Sequence, residues 1–219
     1  MIRPIIKFSL ILGFGLLAPT VAFADVRVTP MGATAYLESG RLDRGDEAAF
    51  AQFLESPAAG QVRIIYLDSR GGNTAAAIAI GRMIREHHLA TAFHVGYGRC
   101  VSACTTMFLG GVERYYIGGD GVANGVATHI GLGFHPSNGG AANEDRIGAY
   151  YSEMGVPGAA EVRYKIYGRS VADQAETQDA SGEPVKRKLF FVGGALAVKT
   201  GVATSLSEPA DAALQDGQP

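Results

Sequence analysis

A serine among small residues, a histidine at the end of an apolar stretch and a pair of glycines are the residues here whose types could support acyl transfer. Ser102 lies in GYGRCVSACTTMFLGG (96–111), where a predicted strand passes through a glycine-containing turn into a helix. A serine at a helix start ordinarily caps it, its oxygen accepting a backbone N–H. Val101 and Ala103 leave Ser102 open to a substrate, and the Ala103 N–H is a candidate oxyanion donor. A nucleophilic serine needs a base within hydrogen-bond reach, and imidazole titrates in a suitable range. His135, in GLGFHPSNGG (131–140), closes a predicted strand and precedes Pro136, which disfavours continuation as helix. His129 lies six residues earlier on the same predicted strand. That even offset puts both rings on one face, so His129 competes with His135 for the role of base. In LDSRGGN (67–73) a strand ends on Gly71-Gly72 before a helix. Paired glycines allow positive φ and expose N–H groups suited to a developing oxyanion, although a tight turn is their plainer role.

The remaining titratable groups are less well placed. His87 and His88 end a predicted helix and His94 lies within a strand, which are solvated and structural positions. A Ser–Lys dyad would have to draw on Lys165, Lys186, Lys188 or Lys199, all far in sequence from the motif strands. The two cysteines, Cys100 and Cys104, have only His94 nearby as a further metal ligand, so no metal site or cofactor is expected. In an oxidising compartment they can form a disulfide. The alternative is a pair of small buried residues at i, i+4 helical spacing.

These motifs need strands and helices to present them. ATAYLESG (33–40) reads as a strand and turn. DEAAFAQFLES (46–56) has helical spacing, with Phe50, Phe53 and Leu54 on one face. VRIIYL (62–67) is a buried strand, followed by a helix that Asn73 or Thr74 can cap and that runs to His87. Strands are predicted at 90–96, 113–119 and 128–135, and helices at 102–109, 143–154, 159–167 and 194–201. Residues 171–184 are polar and acidic and read as a surface loop. The alternation predicts an α/β domain with mostly parallel strands.

Residues 1–24 read as a secretory signal peptide: Arg3 and Lys7, an apolar run, and Ala22-Phe23-Ala24 as the cleavage pattern. Cleavage near Ala24 would release a periplasmic or secreted protein, with one domain over 25–206 and a disordered tail over 207–219. Removing Arg3 and Lys7 takes the formal charge from −2 to −4, and there is no basic stripe, so nucleic acid is not an expected partner.

The order YLDSRGG–helix, CVSAC at the turn into a second helix, RYYIGG, and FHP with Gly139-Gly140 resembles the proteolytic subunit of the Clp protease and its crotonase-like relatives. In particular it looks like the exported ClpP-like proteins of bacteria, over roughly residues 33–205. The resemblance implies a fold of repeated β-β-α units and a serine peptidase acting on a peptide or protein. Ser102 would be the nucleophile, His135 the base, and Gly72 and Ala103 the oxyanion donors. It also implies a homo-oligomer, since relatives form rings. An ATPase partner is not expected outside the cytoplasm, nor are the CoA substrates of the serine-free relatives.

Two departures stand out. The Ser-to-His interval is lengthened by a Gly-rich insertion around 119–127. Aligned on Phe191, the family's aspartate is replaced by Leu189 and the following arginine by Phe190, with no acid from Pro184 to Leu206. Asp120, Asp173, Asp179, Glu183 or Asn138 would have to orient the imidazole instead, or a backbone carbonyl. The missing acid favours the alternative function, a catalytically inactive module that binds peptides or proteins.

Overall fold

The computed structural model describes residues 25–125, 130–137, 140–156, 158 and 189–210. The expectations for the signal segment, His129, Asn138, residues 159–167 and 171–184, and the tail beyond 210 fall outside the described residues.

The described chain is mixed α/β around one sheet of eight strands. These are β1 (Arg27–Met31), β2 (Thr34–Ser39), β3 (Ile64–Ser69), β4 (Ala90–His94), β5 (Cys100–Val101), β6 (Arg114–Ile117), β7 (Leu132–Phe134) and β8 (Phe190–Val192). Five helices accompany them: α1 (Asp46–Leu54), α2 (Thr74–Glu86), α3 (Ala103–Phe108), α4 (Gly140–Glu153) and α5 (Gly194–Lys199). Pairing is parallel except at β1–β2 and β7–β8.

β3 is the element that organises the site. Its β-branched, alternately buried residues suit a central strand. Its first half pairs with β4 (Ile64↔Ala90 to Tyr66↔Ala92), whereas its last residue pairs with β5 (Ser69↔Cys100). The sheet therefore forks. One limb continues through β4 to β6, the other through β5 to β7 and β8. The residues after β3 and β5 emerge at this fork, where a parallel sheet leaves room for a ligand.

The helices close over the sheet through an apolar core that includes Leu37, Phe50, Ile65, Ile80, Ile84, Met107, Phe108 and Tyr116. α2 buries Ala76, Ala77, Ile80 and Ile84 on one face, and the Asn73 side chain caps it by accepting the Ala76 N–H at 3.0 Å. α2 also receives α4 closely. Tyr150 is fully buried and packs its hydroxyl where a side chain at Gly81 would stand. That hydroxyl donates to Thr106 O at 3.0 Å, and burial pushes its titration far up. Arg85 holds the same three helices together. Its guanidinium donates to Gly110 O (2.8 Å), Gly111 O (2.9 Å) and Met154 O (3.2 Å).

Some elements depart from the sequence expectation. Of the strand predicted for 128–135, the described residues from 130 onward are strand at Leu132–Phe134, preceded by Gly131, which turns the chain at φ +113°. The strand at 113–119 stops at Ile117, where Gly118 takes φ +74°. The helix at 143–154 begins at Gly140. β1, β5 and β8 were not anticipated.

Candidate active site

Ser102 stands between β5 and α3 with φ +58° and ψ −125°. A non-glycine residue there is strained by about 1–3 kcal/mol and persists only where its surroundings impose it. Three features impose it. The Ser102 N–H donates to Gly133 O at 2.7 Å, extending the β5–β7 ladder. The Ser102 carbonyl accepts from Thr105 Oγ1 at 2.7 Å and Thr105 N at 3.0 Å. Cys100 and Cys104, both fully buried, are joined by a disulfide that closes a short loop around Ser102. The Ser102 side chain makes no capping hydrogen bond to α3, so its oxygen is not spent as an N-cap.

His135 follows β7 directly, and β7 lies beside β5 with Cys100↔Leu132 and Val101↔Gly133 in register. The parallel pairing carries the imidazole to the serine: His135 Nε2 lies 2.6 Å from Ser102 Oγ. The other ring nitrogen, Nδ1, lies 2.7 Å from the carbonyl oxygen of Pro136. As a donor to that carbonyl, Nδ1 would carry the proton and leave Nε2 to accept from the serine. A backbone carbonyl is thus one partner of the ring nitrogen to which triads bond an acid. β7 and β8 pair antiparallel through Phe134↔Phe190, so Leu189 and His135 are the residues that adjoin the last pair of the ladder.

Gly71 is pressed against the serine segment. A Cβ on Gly71 would lie 2.5 Å from Val101 O and 2.7 Å from both Ala103 N and Ser102 Cβ, and its φ is +81°. Only glycine permits that approach. It sets the Gly71-Gly72 turn beside the start of α3. The turn is pinned by Leu42 N to Gly71 O (2.8 Å), Asn73 N to Leu42 O (2.7 Å) and Gly71 N to Ser69 Oγ (3.1 Å). Among the described residues, no hydrogen bond engages the Gly72 or Ala103 N–H.

Sequence reasoning missed a polar cluster at the start of α4. Glu144 accepts the Ser137 N–H, and Asn143 donates to Ser137 Oγ and, at 3.4 Å, to Thr74 Oγ1. It ties the stretch after His135 to α4 and to the start of α2. No motif marks these residues, since their meeting depends on how α4 docks. Of the other histidines, His87 and His88 are exposed at the end of α2. His94 accepts the Gly96 N–H at 3.0 Å and packs on Tyr97. Asp120 is exposed in a 3₁₀ turn at 119–121. That turn begins the Gly-rich insertion, which packs toward β8: Gly193 N donates to Asn124 Oδ1 (2.8 Å), and Gly125 bridges to Phe191. No helix among the described residues is long and apolar enough to cross a membrane.

No protein-family model matches the chain, and no curated protein does at the sequence level. Solved structures match at the level of fold. A membrane-bound stomatin-specific protease is 14% identical with a TM-score of 0.50, covering 85% of this chain and 84% of that one. ClpP1 from Listeria monocytogenes is 16% identical with a TM-score of 0.50, covering 82% and 94%. The ClpP protease catalytic domain from Plasmodium falciparum is 10% identical with a TM-score of 0.50, covering 80% and 85%. The chain therefore has the ClpP/crotonase-like fold.

Proposed function

We propose that this chain, a serine–histidine pair set in a ClpP/crotonase-like fold, is a serine hydrolase that cleaves peptide bonds outside the cytoplasm. The contact of 2.6 Å between Ser102 Oγ and His135 Nε2 carries the reading. In it, Ser102 Oγ attacks the peptide carbonyl carbon while His135 Nε2 takes the hydroxyl proton. The Gly72 and Ala103 N–H groups hold the oxyanion. The carbon–nitrogen bond then breaks, and His135 returns the proton to the leaving amine. Water enters with His135 as base, releasing the acid and restoring the serine hydroxyl. The Pro136 carbonyl orients the ring through Nδ1.

The A-x-A sequence before Asp25 and the disulfide both suit an oxidising compartment. Export is tested by the mature N-terminus: a start at Asp25 in protein from the periplasm or medium supports it, and an intact chain in the cytosol removes it.

A second reading, a catalytically silent module that binds peptide, is favoured by Leu189, which stands in sequence where the resemblance expects an acid. A fluorophosphonate probe separates the two. Labelling of the oxidised wild type that disappears in Ser102→Ala and falls steeply in His135→Ala supports the hydrolase. Absence of labelling with tight peptide binding supports the silent module.

A further inference from the structure

Asp46, the first residue of α1, is only 2% exposed. Its carboxylate accepts two backbone N–H groups: Asp25 N on Oδ1 at 3.1 Å and Asp43 N on Oδ2 at 2.7 Å. Among the described residues it forms no ion pair with a lysine, arginine or histidine. A carboxylate held out of water without a counter-charge is costly, and the positive end of α1 offsets that only in part. We propose that its counter-charge is the chain's own α-ammonium, made at Asp25 when residues 1–24 are removed, and that this ion pair braces the Gly71-Gly72 turn. The proposal rests on cleavage after Ala24, as read above, and is independent of the hydrolase reading.

Hydrolysis of the Ala24–Asp25 bond by a processing peptidase sends the water oxygen to Ala24, which leaves as a carboxylate, and both water protons to the Asp25 nitrogen. An α-amino group titrates near about 8, so the new terminus is cationic at neutral pH. The atom that donates to Asp46 at 3.1 Å thereby becomes a charged donor, and the bond becomes a charge-assisted one. Its neighbours hold the terminus in place. The Asp25 side chain accepts the Arg41 N–H at 2.7 Å and the Ser39 hydroxyl at 3.5 Å through the same oxygen. A Cβ at Gly40 would stand 3.3 Å from that oxygen, so glycine leaves it room. Val26 is buried in the core, and β1 follows at Arg27.

The connection from Asp46 to the glycine turn is short. Asp43, held by the Asp46 carboxylate, follows Leu42. Leu42 is fully buried, donates to Gly71 O at 2.8 Å and accepts from Asn73 N at 2.7 Å, so it bridges Gly72 from both sides. A Cβ on Gly72 would lie 2.2 Å from Leu42 O, which shows how closely the two segments meet. Fixing Asp43 therefore fixes the segment against which the Gly72 N–H is set.

The test uses the exported, oxidised protein and a variant with one glycine inserted between Ala24 and Asp25. Processing then leaves the α-amine on the added glycine, while Asp25 keeps an amide N–H that can still bond Asp46. Asp46→Asn, with and without the insertion, completes a double-mutant cycle. Intact mass fixes each N-terminus, calorimetry gives Tm, and hydrogen exchange by NMR reads the Leu42 and Asn73 amides. The insertion is expected to lower Tm by at least about 5 °C, as loss of one partner of a buried pair does in a domain of this size. The two amides should exchange about 5- to 150-fold faster, the range of coupling between linked sites. In the Asp46→Asn background the insertion should change neither. A wild-type N-terminus other than Asp25 would remove the cleavage reading and the proposal with it. A terminus at Asp25, with the insertion variant equal to wild type in Tm, would overturn the ion pair and leave cleavage standing. So would a loss of Tm that persists undiminished beside Asp46→Asn. A loss of Tm with unchanged exchange at Leu42 and Asn73 would overturn the bracing of the turn.

Discussion

Opening the Cys100–Cys104 disulfide is expected to cost both stability and serine reactivity, and the two losses can be separated. The bond spans four positions of the chain, a closed loop of five residues. Chain-entropy bookkeeping assigns such a loop about 2 kcal/mol at 25 °C, which in a domain of this size corresponds to a fall in Tm of roughly 4–8 °C. Reactivity should fall further than that. Ser102 is held at φ +58°, a conformation costing about 1–3 kcal/mol. Once the bond opens, the turn can relax toward an unstrained backbone, although the Ser102 N–H to Gly133 O bond still opposes this. Release of that strain would deplete the reactive geometry about 5- to 150-fold. Both cysteines are fully buried, so a reductant reaches the bond only when the region opens. The assay therefore compares oxidised protein with protein reduced in denaturant and refolded under reductant. Tm is measured by calorimetry and fluorophosphonate labelling at 25 °C, where both forms are folded. A refolded dithiol form that matches the oxidised form in Tm and labelling rate would refute the reasoning. So would two free thiols in protein purified without reductant.

Three further outcomes are expected. Leu189→Asp adds a carboxylate next to Phe190, whose partner Phe134 precedes His135, and the acid of a model triad is worth about 10⁴ in rate. Labelling and peptide hydrolysis should rise at least about tenfold, and an unchanged rate in a folded variant would mean that a carboxylate at this position does not reach the imidazole. Gly71→Ala forces a Cβ into Val101 O and Ala103 N at φ +81°. It should destabilise by about 3 kcal/mol or more and abolish labelling, whereas a variant of wild-type Tm would contradict the close approach. Arg114→Met removes the buried donors to Gly111 O (2.8 Å), Val202 O (3.1 Å) and Gly201 O (2.9 Å); Arg85 still serves Gly111 O, but Val202 O and Gly201 O lose their guanidinium partner. Urea denaturation should show a loss of about 2–4 kcal/mol, with labelling of the folded variant little changed because these bonds lie away from Ser102.

Local periodicity made most of the long elements legible. α1, α2 and β3 carry apolar spacing of their own, and Asn73 or Thr74 is a cap by residue type, the structure choosing Asn73. The short strands are different. β5 has two residues and β8 three, too few to show a period, and each exists because a distant partner supplies its hydrogen bonds. The edge strand β1 owes its pairing to β2 alone. The same division runs through the site. Serine, histidine and paired glycines announced what chemistry the chain could attempt, and the lack of an acid near Phe191 was plain from residue types. Nothing local placed residue 135 against residue 102. That took the forking of the sheet at β3, which hands Ser69 to β5 and β5 to β7. Nor could residue types supply the backbone angle of Ser102 or the pairing that brings Phe190 beside Phe134. Side-chain chemistry is a property of each residue, whereas distance and confinement depend on contacts far apart in the chain. Those contacts are decided only when the core closes.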